Sequence, residues 1–162
     1  MKDEIIIREI KQSDNSALAL IVRNSLKEFN AAKPGTVYYD DTTDHLFEVF
    51  KQPGSKFFVA ELNNEICGGG GIYPTAGLEE DTCELVKMYL SGTARGIGLG
   101  KTILQKCIDE AKSLGYNKMY LETMPELKVA IPMYEKFGFT FLNGPLGESG
   151  HTGCDVWMIK NL

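Results

Sequence analysis

The sequence predicts a mixed, twisted α/β (α+β) sheet of six to seven strands with helices on both faces. Three observations predict it. Apolar periodicity switches between 2 and 3.6 along the chain in the order β-α-α-β-β-β-α-β-α-β-β. Two apolar runs flank Asn63-Asn64, a pair that tolerates positive φ, and so form a hairpin in the front half. In the back half, a strand, a glycine loop, an amphipathic helix and another strand follow one another as a parallel βαβ unit.

The elements follow in order. Ile5 to Ile10 reads as a strand, with Ile5 and Ile7 alternating against polar neighbours. Ser13 or Asp14 caps a helix to Phe29 whose apolar face is Leu18, Ile21, Val22, Leu26 and Phe29. Pro34-Gly35 breaks the loop from Asn30 to Tyr39, and Asp40 to Phe50 reads as a short second helix. The hairpin strands are Lys56 to Leu62 and Glu65 to Tyr73. Four glycines, Gly68 to Gly71, interrupt the second of them; they mark either close packing of a helix on the sheet or space beside a cleft. Thr82 to Leu90 is a strand, Lys101 to Leu114 a helix closed by Gly115, and Lys118 to Thr123 the next strand. A helix from Glu126 to Phe137 ends at Gly138, and Phe139 to Leu142 and Asp155 to Ile159 complete the sheet.

A chain of 162 residues without a repeat or linker reads as one domain, 1–162. No apolar run approaches the roughly 20 residues of a membrane helix. Met1-Lys2-Asp3-Glu4 lacks the apolar core of a signal peptide, and the four cysteines are scattered, three of them in core elements. The expectation is a cytoplasmic protein with no membrane partner. A net charge of −5 disfavours nucleic acid as a partner; it either draws in a cationic ligand or serves solubility.

Arg95-Gly96-Ile97-Gly98-Leu99-Gly100-Lys101 joins the central strand to the amphipathic helix. Glycines let backbone N–H groups approach a ligand, and a helix N-terminus adds unpaired donors and positive potential. Arg95 and Lys101 bracket the turn with full charges, so the segment fits a phosphate or pyrophosphate. It is not a P-loop, because the first glycine of G-x-x-x-x-G-K-[ST] falls on Arg95. A dinucleotide fingerprint fails as well: its third glycine falls on Lys101, and Ser91 to Ala94 separate the strand from the turn. Glu122 could otherwise have served as that fingerprint's ribose-binding acid.

The pattern [RQ]-x-x-G-x-[GA] at such a junction resembles the coenzyme A pyrophosphate loop of the GNAT superfamily of N-acetyltransferases, with Arg95, Gly98 and Gly100 at its fixed positions. Glu84 to Leu90 resembles that family's fourth strand, and Ala130-Ile131-Pro132-Met133-Tyr134-Glu135-Lys136-Phe137-Gly138-Phe139 its A-x-x-x-Y-E-K-x-G-F motif. The resemblance covers Ile5 to Leu162. It implies a sheet whose fourth and fifth strands diverge around the thioester, and acetyl-CoA as acyl donor without a metal. It further implies direct transfer to a primary amine of a small molecule or peptide, and leaves room for a homodimer. The alternative from another class is a CoA-binding regulatory module of the same fold without turnover.

The resemblance also assigns residues. Arg95, Gly96, Gly98, Gly100 and Lys101 would hold the pyrophosphate, and backbone groups near Met88 and Leu90 the thioester carbonyl and pantetheine arm. Tyr134 matches the tyrosine that points at the sulfur, a general acid. Glu84 matches a fourth-strand glutamate that acts as base, through a water. Strand alternation puts Glu84, Val86, Met88 and Leu90 on one face, with Leu85 and Lys87 turned away, and a carboxylate among apolar neighbours has a raised pKa. A base is required because an alkylammonium, with a pKa of about 10.4, is not nucleophilic. Two departures stand out: Leu127 occupies the position where many members carry asparagine, and Pro132 lies early in the motif's helix. His151 and Cys154 form H-x-x-C, half a zinc site without a second pair, a Cys–His pair, or simply pocket wall.

Overall fold

A computed structural model describes residues 2–127 and 129–162. Seven strands form one sheet: β1 (Ile5–Glu9), β2 (Lys56–Leu62), β3 (Glu65–Tyr73), β4 (Thr82–Leu90), β5 (Lys118–Thr123), β6 (Thr140–Leu142) and β7 (Val156–Asn161). Their spatial order is β1-β2-β3-β4-β5-β7-β6. Every neighbouring pair is antiparallel except β4 and β5, which the βαβ crossover makes parallel.

The strand alternation sorts the core. Phe57 and Val59 of β2 face α1 (Asn15–Glu28) and α2 (Leu46–Val49), whereas Phe58 and Ala60 face α3 (Leu99–Ser113). On α1, Leu18, Val22 and Leu26 recur every fourth residue and all are buried. The stripe on α3 is Leu99, Ile103, Leu104, Cys107, Ile108 and Ala111. Among the described residues no helix is long and apolar enough to cross a membrane.

Two helices differ from the sequence reading. The second breaks at His45 (φ −133°, ψ 40°) into a 3-10 turn, Asp41–Asp44, and the short α2. Side chains explain the break: Thr43 Oγ1 donates to the Val37 carbonyl at 2.7 Å, and the Phe47 N–H donates to Asn15 Oδ1 at 2.8 Å. The last helix, α4 (Ala130–Lys136), starts four residues later than the expected Glu126. A start at Glu126 would place Pro132 where a helical N–H bond is needed; from Ala130 it lies in the first turn, where the N–H has no partner anyway.

The glycine run resolves as packing. A Cβ on Gly69 or Gly71 would lie 2.6–2.8 Å from the Phe57 ring, and one on Gly70 would lie 3.1 Å from Ile103 Cγ2. None of the four glycines lines the cleft described next.

Candidate active site

β4 and β5 pair only from Thr82 to Glu84 against Lys118 to Tyr120. Beyond that point β4 runs on to Leu90 and β5 to Thr123 without a shared hydrogen bond, and the parting strands open a cleft of about 470 Å³. Its walls come from β4, β5, the glycine loop, α4 and the loop carrying His151.

At one end lies the glycine loop. Gly96 and Gly98 have φ of 82° and 83°, the left-handed region that side chains avoid, and Gly98 caps α3. Gly100 is ordinary helix, and a Cβ there would meet only van der Waals neighbours. None of the six backbone N–H groups from Gly96 to Lys101 has an acceptor among the described residues. Six consecutive free donors at the start of a 15-residue helix make an anion cradle. Lys101 is exposed beside it. The Arg95 guanidinium is engaged elsewhere: it donates to the Leu90 carbonyl at 2.9 and 3.2 Å, pairs with Glu28, and lies 4.8 Å from the centre of the Phe29 ring. Arg95 thus ties the loop to the C-terminal end of α1, and the backbone supplies the donors.

The middle of the cleft is shaped by a bulge. Gly69 pairs with Tyr89 and Gly71 with Val86, so two residues of β4 oppose one of β3, and Lys87 adopts φ 54°. This corrects the simple alternation expected of the strand. Met88 and Leu90 turn to the α3 side with Leu85, whereas Lys87 swings into the polar end of the cleft instead of away from it. Tyr134 lies across the cleft, 6% exposed, edge-on to Phe139 with ring centres 5.8 Å apart. Burial pushes its phenol above the ordinary range, so it stays protonated near neutrality.

The other end is polar and buried. Glu84 is 3% exposed and accepts a hydrogen bond from Thr75 Oγ1 at 2.6 Å. Burial pushes its carboxyl up to about 7; the Thr75 bond opposes this and the Glu122 charge adds to it. Glu122 accepts from Tyr120 Oη at 2.6 Å and from Ser149 Oγ. His151 Nε2 lies 2.5 Å from Asp40 Oδ2, and Lys87 Nζ lies 3.3 Å from the same oxygen. Burial alone would raise the Asp40 carboxyl, but the bonds to His151 and Lys87 hold it below the usual range. Burial in turn lowers the Lys87 ammonium against the pull of Asp40. Burial pushes the Cys154 thiol up to about 12, with Glu122 and Glu84 adding, which removes it as a thiolate nucleophile near neutrality.

The sequence-chosen residues therefore all line one cleft, Arg95 with its guanidinium hydrogen-bonded to the Leu90 carbonyl. Sequence reasoning missed Asp40, Lys87, Thr75 and Glu122 as members of the site. The signal for Glu122 was its place two residues past Tyr120, the partner of Glu84 across the strand junction.

The acetyltransferase (GNAT) family model matches residues 22–139, most of the chain. The chain belongs to the acetyltransferase (GNAT) family. It is 39% identical over 158 residues to the uncharacterised N-acetyltransferase YjgM of Escherichia coli, covering 97% of this chain and 95% of that one. Its fold matches a GNAT acetyltransferase of Staphylococcus aureus at a TM-score of 0.87 and 22% identity, over 98% of this chain and 99% of that one. It also matches the Salmonella typhimurium protein yncA, solved with its cofactor acetyl-CoA, at a TM-score of 0.77 and 21% identity, over 98% and 94% of the two chains. The chain is thus an acyltransferase of the acetyltransferase family.

Proposed function

We propose that this chain is an N-acetyltransferase that moves an acetyl group directly onto a primary amine of a small molecule or peptide, within one ternary complex. The observation that carries the reading is the polarity of the cleft. An anion cradle stands at one end, a buried carboxyl with a pKa of about 7 at the other, and a protonated phenol lies between. The cradle suits the pyrophosphate of acetyl-CoA, held by Gly96, Gly98, Gly100 and Lys101, with Met88 and Leu90 beside the pantetheine arm. Acetyl-CoA supplies an activated acyl carbon bound to sulfur. The protein's part is proton management and alignment.

Glu84 is the proposed base. A carboxylate poised near neutrality accepts the ammonium proton while remaining half-ionised at pH 7. Its burial gives it this basicity and excludes competing water. Tyr134 is the proposed acid: its phenol holds a proton, reaches the cleft, and has no hydrogen-bond acceptor among the described residues. Alignment of amine and acyl carbon in the cleft supplies much of the remaining acceleration.

Thiol release from acetyl-CoA, followed across alkylamines, amino acids and peptides, tests the reading. Amine-dependent release with a matching N-acetylated product is expected. Tight CoA binding without release for any acceptor would instead favour a regulatory CoA-binding module.

A further inference from the structure

Glu84, Glu122 and His151 converge on one point at the polar end of the cleft. One oxygen of each carboxylate and one ring nitrogen of His151 lie within 4.8 Å of one another. His151 Nε2 lies 2.5 Å from Asp40 Oδ2, which leaves Nδ1 on the side of Glu122. Nδ1 is 4.0 Å from Glu122 Oε1, too far for a hydrogen bond. Two carboxylates and one ring nitrogen therefore face one another, and both carboxylates are less than 5% exposed at their side chains or residues.

A point central to three atoms that lie within 4.8 Å of one another is at most about 2.8 Å from each, within reach of an N–H···O bond. A primary ammonium carries three donors, one for each corner. Charge points the same way. The cation at this end, Lys87, is paired with Asp40, which leaves Glu84 and Glu122 without a cationic partner among the described residues.

Resting on the acetyltransferase reading above, we propose that Glu122 and His151, with Glu84, form the acceptor-selecting site. It takes a primary ammonium with no carboxylate close to it. Glu122 and His151 hold the amine while Glu84 removes its proton. A carboxylate on the adjacent carbon would face Glu122 with Lys87 already paired, so amino acids bind worse than their decarboxylated or amidated forms.

Calorimetry on the CoA-bound protein tests this with matched probes: 2-phenylethylamine and phenylalaninamide against phenylalanine. The two carboxylate-free amines are expected to bind at least tenfold more tightly than phenylalanine. Glu122→Gln should weaken them about tenfold and narrow the gap, with CoA affinity unchanged; His151→Gln should weaken them less. The same preference is expected in the KM for thiol release. Equal or better binding of phenylalanine, no binding of any probe, or an unchanged preference in Glu122→Gln would overturn the proposal. So would zinc binding at one ion per chain that displaces the amine. Selective binding without thiol release would leave this site standing and sink the proposed activity, so the two ideas fail separately.

Discussion

Glu84→Gln should make the chain more stable relative to wild type as pH rises. Burial lifts the Glu84 carboxyl from 4.5 in the unfolded chain to about 7 in the fold. A raised acid favours folding in its protonated form, so that contribution is fully present below pH 4.5 and is lost as pH rises through 7. A shift of about 2.5 pKa units corresponds to about 3 kcal/mol, of which about 2.5 kcal/mol falls between pH 5 and pH 8. Glutamine keeps the shape and can still accept from Thr75, but it has no charge to bury. The stability difference between the variant and wild type should therefore move in favour of glutamine by about 2.5 kcal/mol over that interval. In a chain of this size that is about 5–10 °C in Tm. Urea denaturation of both proteins at pH 5, 6, 7 and 8 reads it directly. Parallel stability curves across the four pH values would refute the claim that Glu84 is a buried, poised carboxyl.

Other perturbations separate the parts of the cleft. Tyr134→Phe should lower kcat at least tenfold with CoA affinity within about twofold, as measured by steady-state kinetics and calorimetry; an unchanged kcat would remove Tyr134 as the acid. Gly98→Ala forces a side chain to φ 83° and should destabilise the chain by about 1–2 kcal/mol, whereas Gly100→Ala, in regular helix, should be neutral or slightly stabilising. Equal melting temperatures for the two variants would contradict the loop geometry. Arg95→Ala should lower the stability of the CoA-free protein by about 1–3 kcal/mol, because it frees the Leu90 carbonyl and the Phe29 ring. An unaltered CoA-free Tm with a large loss of CoA affinity would instead assign its guanidinium to the phosphates.

The sheet was legible because its strands are short, regular and well separated. The hairpin at Asn63-Asn64 shows both residues at positive φ, 52° and 70°, as the pair's chemistry predicts. The glycine loop was legible because Gly96 and Gly98 need a backbone conformation that few other residues adopt. The bulge at Lys87 was hidden. Lysine carries no mark of positive φ, and the alternation on either side of it looks regular until one residue is skipped. That skip decides that Lys87 enters the cleft. Asp40 and His151 are 111 residues apart, and no local pattern couples them; only the meeting of two loops over the cleft does. Pro132 was visible, but the expected helix start lies four residues too early. The proline sets where α4 can begin, and so carries Tyr134 to its position over the parting strands.

The central claim is that Glu84 removes the proton from an amine acceptor in this cleft. The pH dependence of kcat/KM for thiol release, measured on wild type and Glu84→Gln with one alkylamine, tests it most directly. The account predicts an acid limb in wild type with an apparent pKa near 7, and a variant at least tenfold slower at pH 8 from which that limb is missing. An unchanged limb in Glu84→Gln, at comparable rates, would contradict it.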